Sequence, residues 1–330
     1  ITFIIYTMGI KGLTGLIQKY APDAVESVNL HTLSGKTLAI DASLFIYKMA
    51  FSVKSTKDGK NYGHIIGIFQ KTINYLAVGI EPIYVFDGKP PEAKNSVLKA
   101  RREKSEALKK LMNESDDKEK KEKYKSQSFR MTREDVESVK RLLSLMGVSY
   151  IQADGEAEGY ASELCRMGYV DGVVTEDMDS LAFGTPILVR SNIDKSIKRR
   201  DVLSVINMDK VLEMMNVSFE EFLDICIMSG CDYCENIRGI GPKKSYQGIK
   251  EHRSIEKFVE SCKDIDPDYL SRVQQSRELF KIYSEKIVKE DIKKSASLIN
   301  PTELKTFLVD MCGMGEKRFN SAMEKIVTKN

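Results

Sequence analysis

The chain has 330 residues, 42% hydrophobic and 30% charged, with a net charge of +3. That length holds one large domain or two ordinary ones, and the composition is that of a soluble globular protein. Near-neutral overall, the chain can attract a polyanion only through the way its charge is distributed. Six cysteines, at 165, 226, 231, 234, 262 and 312, lack the regular spacing of a disulfide framework and fit a reduced, intracellular protein.

The first stretch, Ile1–Thr7, is apolar but too short for a signal peptide, with no basic flank and no small-residue cleavage site. Met8-Gly9 reads as the natural beginning, and residues 1–7 as an extension. No later stretch is long enough to span a membrane.

Lys36–Asp41 is a compact apolar strand that ends in an acid, and Ile83–Asp87 repeats the arrangement. Gly172–Thr175, followed by Glu176-Asp177, does so a third time. Helical patterns over Leu44–Val53 and Ile65–Val78 separate these strands, which predicts an α/β domain with a mainly parallel sheet. In such sheets the site lies beyond the carboxyl ends of the strands, so Asp41, Asp87 and Asp177 should gather on one rim.

After Asp87-Gly88-Lys89-Pro90-Pro91 the character changes. Residues 92–130 carry thirteen Lys/Arg against eight Asp/Glu, a local excess of +5, with few large apolar side chains. Such a run is either a charge-laced surface helix or a basic helical gate that orders around a phosphate backbone. Its place beside the acidic strand ends favours the gate. Val136, Val139, Leu142, Leu143 and Met146 then repeat at helical spacing as core positions, before a strand at Val148–Ile151.

Residues 154–184 carry the densest chemistry: two acid pairs, Glu156/Glu158 and Asp177/Asp179, flank a helix-like run, Gly159–Met167. At i, i+2 spacing, pair members diverge in mid-helix and converge where a turn opens into a helix. Asp154-Gly155 and the strand end at Thr175 supply such places. Gathering carboxylates costs about 4 kcal/mol per close pair at an effective dielectric of about 20. Hard divalent cations on oxygen ligands, magnesium or manganese, remove that cost.

Further on, Ile187–Arg190 and Val202–Ile206 read as strands, and the pattern from Asp209 to Lys250 is helical. Cys231-Asp-Tyr-Cys234 has the spacing of half a zinc site, but no second CxxC or His pair completes it, and buried thiols are the better reading. Arg238-Gly-Ile-Gly-Pro-Lys-Lys244 is a glycine-apolar-glycine turn opening a basic helix. Alone it is a tight turn; in this company it is a hairpin whose N–H groups face duplex phosphates. Beyond about residue 255 the chain is charged and helical.

Taken together, MGIKGL at 8–13, AIDAS at 39–43, VFDGKPP at 85–91, GEAEG at 155–159, TEDMD at 175–179 and GCDYCENIRGIGPKK at 230–244 resemble the flap endonuclease family, in its eukaryotic form. The resemblance runs in order over residues 8–330. It implies a mixed, mainly parallel central sheet flanked by helices, with a helical arch and a helix–two-turn–helix DNA-binding element. It also implies one compact nuclease domain built from an N-terminal region (8–115), an arch (about 92–135), an internal region (136–235) and a helix-hairpin and C-terminal region (236–330).

The resemblance implies a structure-specific 5′ flap endonuclease and 5′–3′ exonuclease of DNA replication and base excision repair, using two Mg2+ ions that Mn2+ can replace. Asp41, Asp87, Glu156 and Glu158 would surround the first ion. Asp177, Asp179 and Asp232 would hold the second; Asp232 is supplied by the resemblance alone. Lys94 and Arg101 match catalytic cations at the arch base, and Tyr47 matches an aromatic that stacks on the terminal base. DNA contacts are expected from Gly9, Tyr47, Lys94, Arg101, Glu156, Gly230, Asp232, Arg238, Gly239, Gly241, Lys243 and Lys244.

Some features depart from the family. Asn236 stands where a serine usually lies near a potassium site. The chain ends at Lys329-Asn330 without the box that docks on the sliding clamp or a basic tail that carries nuclear targeting. The partner expected is branched DNA with a 5′ flap, with the clamp and a nuclear location expected by family analogy. The rivals are a sibling exonuclease or junction nuclease of the same core, a related RNA nuclease, and a catalytically silent DNA-binding scaffold, which has no physical need of seven clustered acids.

Overall fold

The computed structural model describes residues 9–53, 55–128, 130–194, 196–197, 199, 201–262, 265–281 and 299–327. The expected extension, Ile1–Thr7, and the Met8 start lie outside the described residues.

In chain order, helix α1 (Leu13–Tyr20) precedes β1 (Val25–Asn29) and β2 (Thr37–Asp41). Helix α2 (Ala42–Ser52) leads to a small hairpin, β3 (Thr56–Lys57) and β4 (Lys60–Asn61), then α3 (Gly63–Ala77) and β5 (Glu81–Phe86). The basic run forms two antiparallel-chained helices, α4 (Asn95–Glu114) and α5 (Lys118–Gln127), ahead of α6 (Arg133–Leu145) and β6 (Tyr150–Gln152). Next come α7 (Ala157–Arg166), β7 (Gly172–Val174), the one-turn α8 (Asp179–Ala182), β8 (Ile187–Ser191) and β9 (Val202–Asn207). Helices α9 (Met208–Met215), α10 (Phe219–Ser229), α11 (Pro242–His252), α12 (Ile255–Glu260) and α13 (Tyr269–Lys281) follow. The last elements are α14 (Pro301–Lys305), a π-helical turn (Thr306–Met311) and α15 (Glu316–Val327).

The main sheet has seven strands in the order β1-β9-β8-β7-β2-β5-β6. Strands β8, β7, β2, β5 and β6 run parallel, while β9 is antiparallel to β8 and to β1. The mixed, mainly parallel sheet expected from sequence is therefore present. From β2 the chain steps to β5 and β6 on one side, then returns to β7 on the other. The crevice at that reversal is where this architecture puts its ligand site.

Both faces of the sheet are covered, which is why the central strands read as continuous apolar runs. On one face Leu38, Ile40, Tyr84, Phe86 and Val189 pack with α3, with Val139, Leu142 and Leu143 of α6, and with Leu304, Phe307 and Phe319 from the C-terminal helices. On the other, Ala39, Ile83, Val85 and Val173 pack with Ala157, Ala161 and Leu164 of α7. Further along, α1 and α8–α13 share a core built on Leu13, Ile17, Leu181, Phe222 and Ile225.

Polar groups set the boundaries of several helices. Thr132 caps α6 through a reciprocal box: Thr132 Oγ1 accepts from the Asp135 N–H, and the Asp135 carboxylate accepts from the Thr132 N–H. A half-buried triad ties three later helices: Arg277 of α13 donates to Asp224 of α10 at 2.7 Å and to Glu256 of α12 at 2.6 Å. Among the described residues, no helix is long and apolar enough to cross a membrane.

Candidate active site

The sheet delivers the predicted acids to one rim. Asp41 is the last residue of β2 and the N-cap of α2; its Oδ1 accepts from the Leu44 N–H at 3.1 Å. Its Oδ2 accepts from the Thr175 hydroxyl at 3.0 Å. Thr175 Oγ1 in turn accepts from the Asp177 N–H at 3.1 Å, so one hydroxyl ties the ends of two neighbouring strands. Asp87 follows β5 and accepts from the Ala157 N–H, at the start of α7, at 2.8 Å. Glu156 is the N-cap of α7 and Glu158 lies in its first turn.

The second pair is built the same way. Asp179 opens α8, and its N–H donates to Asp177 Oδ1 at 3.0 Å. Its carboxylate accepts from the Ile10 N–H at 2.6 Å, which draws the first described residues onto the rim. Gly9 has φ +83°, and a Cβ there would stand 2.0 Å from Asp177 Oδ1 and 2.8 Å from Asp179 Oδ1. Only glycine admits that approach. Both i, i+2 pairs thus sit where a turn opens into a helix.

Asp232 comes from the loop after α10, where Gly230 turns the chain at φ +96°. It joins the rim through the basic segment. Arg101 of α4 donates to both Asp232 oxygens, at 3.1 and 2.9 Å. The Lys94 ammonium lies 3.1 Å from Asp232 Oδ2 and also bonds to Glu156. Lys94 and Arg101, indistinguishable by spacing from other basic residues of the run, are the two that reach the acids.

The electrostatics record the crowding. Burial pushes the Asp41 carboxyl up to about 7, with Asp87 and Asp177 adding to the rise. Burial also lifts Glu158 well above the usual carboxylate range, helped by Asp41, Asp87 and Asp177. Asp179 is raised well above it as well, by burial and then by Asp177 and Asp232. Glu156 and Asp177 are raised too, chiefly by burial; Lys94 lowers both, and the Asp179 N–H lowers Asp177. Burial works against the charge on Lys94, yet Glu156, Glu158 and Asp232 hold its ammonium firmly protonated.

Among the described residues, no three His, Cys, Asp or Glu side chains converge closely enough to hold an ion as placed. The donor set nevertheless fits a hard divalent cation: it is all oxygen, it is mutually repelling, and a cation already stands in for one. That stand-in is the Lys94 ammonium, lodged between Glu156 and Asp232.

Two supporting residues escaped the sequence reading. Thr175 looked like a strand end, although its hydroxyl joins Asp41 to Asp177. Glu176 points away from the rim, where Lys48 binds it at 2.6 Å and Arg190 lies at 3.8 Å, holding its carboxyl below the usual range against the effect of burial. An apolar strand followed by a lysine-paired acid leaves no pattern in one dimension.

Tyr47 is half-buried on α2, and its hydroxyl accepts from the Met131 N–H at 3.4 Å, beside the foot of α6. The basic hairpin follows the Asp232 loop, and Lys11 donates to the Asn236 side chain at 3.4 Å. Gly239 turns at φ +78°, Gly241 is the N-cap of α11, and Pro242 occupies its first turn. Arg238, Lys243 and Lys244 are exposed. The Asn236 amide donates to the Ile237 and Ile240 carbonyls at 3.1 and 2.9 Å.

Fold and sequence together are those of the XPG class. The XPG N-terminal domain model matches residues 8–108, and the XPG I-region model matches 147–232. Flap endonuclease 1 of Glycine max is 40% identical over 343 residues, covering 98% of this chain and 88% of that protein. Flap endonuclease 1 of Phaeodactylum tricornutum is 42% identical over 272 residues, covering 77% of this chain; the chain spans 63% of that relative's length. The solved flap endonuclease-1 from Methanococcus jannaschii superposes with a TM-score of 0.71 at 29% identity, covering 95% of this chain and 99% of that one. The chain belongs to the flap endonuclease family of structure-specific nucleases.

Proposed function

We propose that the chain is a structure-specific 5′ flap endonuclease with accompanying 5′–3′ exonuclease action on DNA. The observation that carries this reading is the meeting of seven carboxylates from strand ends and loops with two cations from the base of a basic helical pair. Asp41, Asp87, Glu156 and Glu158 would hold one Mg2+ and Asp177, Asp179 and Asp232 a second, with Mn2+ able to substitute. When bound, a metal pair of this kind supplies a nucleophilic water at neutral pH and stabilises the leaving oxygen.

The chain's own residues do the rest. Lys94 and Arg101 leave Glu156 and Asp232 for the scissile phosphate, where they offset charge growing on its oxygens. Their departure also frees Asp232 and Glu156 as ligands, so substrate entry and site assembly are one event. Gly9 lets the backbone lie against Asp177 and Asp179 without crowding them. Tyr47 offers a ring to the terminal base, and Gly230 fixes the turn that aims Asp232. Arg238, Lys243, Lys244 and the N–H groups after Gly239 and Gly241 grip duplex phosphates and read no bases. Helices α4 and α5 form the arch that a 5′ single strand passes, which makes junction shape the basis of selection.

The substrate is branched DNA with a 5′ flap, and the setting is nuclear replication and repair, including Okazaki fragment processing and base excision repair. A sliding clamp is the partner that family likeness supports, and potassium at the Asn236 turn is a secondary ligand. The test is cleavage of an end-labelled double-flap DNA in Mg2+, beside a nicked duplex and a single strand, with Ca2+ as the binding-only control. Cutting one nucleotide into the duplex at the flap base is expected. Stepwise release from the nicked duplex with the flap intact would move the chain to the exonuclease branch, and binding without any cutting would make it a scaffold.

A further inference from the structure

Beneath the rim lie three hydroxyls that the reaction does not use. Ser162 of α7, Ser180 of α8 and Thr185, in the turn before β8, are all fully buried. Thr185 Oγ1 stands 2.5 Å from Ser162 Oγ and 2.6 Å from Ser180 Oγ. Ser162 Oγ stands 2.6 Å from the carbonyl oxygen of Glu158, and Thr185 Oγ1 is 2.7 Å from that of Ser180. Three protons serve these four contacts: Ser162 donates to the Glu158 carbonyl, Ser180 to Thr185, and Thr185 either to the Ser180 carbonyl or onward to Ser162, the second choice giving a continuous chain. The chain begins one residue after Asp179 and ends on Glu158 itself.

The surroundings make this placement informative. Next to the hydroxyls, α7 and α8 bury Ala161, Leu164, Leu181 and Ala182, and apolar contacts of that kind fix a separation while tolerating sliding. Hydrogen bonds are directional and do not tolerate it. Helix α8 is a single turn with no side-chain cap, too short to hold its own position. Alanine or valine would fill the same space without the cost of burying three polar groups. A packing role alone gives no reason for three buried hydroxyls in mutual contact between the two helices that carry the two acid pairs.

We propose that Ser162, Ser180 and Thr185 are positioning residues that lock α7 to α8 and so set the spacing between Glu156/Glu158 and Asp177/Asp179. The inference rests on the reading that these four acids hold divalent ions. It makes metal affinity depend on hydroxyls that touch neither ion nor DNA.

The test uses Thr185→Val, which keeps shape and removes the central hydroxyl, beside Thr185→Ser, which restores it. Free Mn2+ is counted by electron paramagnetic resonance as it is titrated into the metal-free protein. Single-turnover flap cleavage against Mg2+ concentration and a thermal melt accompany it. Thr185→Val should weaken Mn2+ binding about tenfold, the scale on which supporting hydrogen bonds act on metal sites. The half-saturating Mg2+ should rise by a similar factor, with the rate at saturation much less affected, and Thr185→Ser should stay near the parent. Parent-like Mn2+ binding by Thr185→Val overturns the proposal, however far its melting temperature falls. Should that variant not fold, Ser162→Ala, which breaks the chain without adding volume, takes the same measurements with the same two outcomes. A parent protein that neither binds Mn2+ nor cuts a flap would instead defeat the metal reading beneath the proposal.

Discussion

The acid rim and the basic helical pair are adjacent but built on opposite terms. Rim acids gather at and beyond the ends of parallel strands, backed by apolar clusters on both faces, and Asp41, Asp87, Glu156, Asp177, Asp179 and Asp232 are each held by a backbone N–H, a hydroxyl or an ion pair. Helix α4 buries little; Ser105 alone of its residues is buried, and its hydroxyl donates to the Ser128 carbonyl, just past α5, at 2.9 Å. At its base the helix meets the rim through Lys94 and Arg101. Under the proposed function, chemistry that demands fixed geometry falls on the stiff element, and recognition that demands an opening on the weakly anchored one.

Substitutions can break that division. Asp179→Ala should lower flap cleavage by a thousandfold or more, on the order of the electrostatic share of such reactions, while flap binding in Ca2+ changes little. Near-parent turnover would remove Asp179 from the metal set. Lys94→Ala and Arg101→Ala should each slow single-turnover cleavage by roughly a hundredfold, again with modest loss of binding. If binding and rate fall together, both are ordinary backbone contacts and the arch base has no catalytic share.

The rim's crowding should also appear as a pH dependence that the arch lacks. In the folded metal-free chain Asp41 keeps its proton to about pH 7, against an ordinary value of 3.8. The folded state therefore binds more protons than the unfolded one between these values, so its stability falls as pH rises through that window and levels off above it. Melting temperatures of metal-free protein should decline from about pH 4 to 7 and recover on adding Mg2+, most strongly at the upper end. A flat profile would mean that the acids do not strain the fold. The smallest effect belongs to the hairpin: replacing Lys243 and Lys244 together by alanine should weaken duplex binding and reduce its salt slope by about two. An unchanged slope would place the duplex elsewhere.

Much of this division was legible in the sequence. Buried parallel strands leave uninterrupted apolar runs, so β2, β5 and β7 could be read together with the acids that end them, and both i, i+2 pairs announced themselves through the turns before them. Strand β1, with three of its five residues polar at the sheet edge, gave no such run, and neither did the two-residue strands β3 and β4. Asp232 lies over fifty residues beyond Asp179 in a loop with no strand before it, so only family likeness could supply it. Lys94 and Arg101 are lost among equals in a run of thirteen cations. The hydroxyl chain from Ser180 to Glu158 joins residues of the commonest polar types, and nothing in their order marks them as neighbours.

The capping box of α6 bears on how the molecule comes apart. A helix that satisfies its own first N–H groups does not rely on the segment before it, and melting in that segment has no reason to spread. Thr132 and Asp135 close α6 in this way, four residues before Val139, which with Leu142 and Leu143 is fully buried in the core. Helices α4 and α5 are therefore expected to open as a unit of their own before the core does. Amide exchange along the chain should then slow abruptly near residue 136 rather than grade from one region into the other.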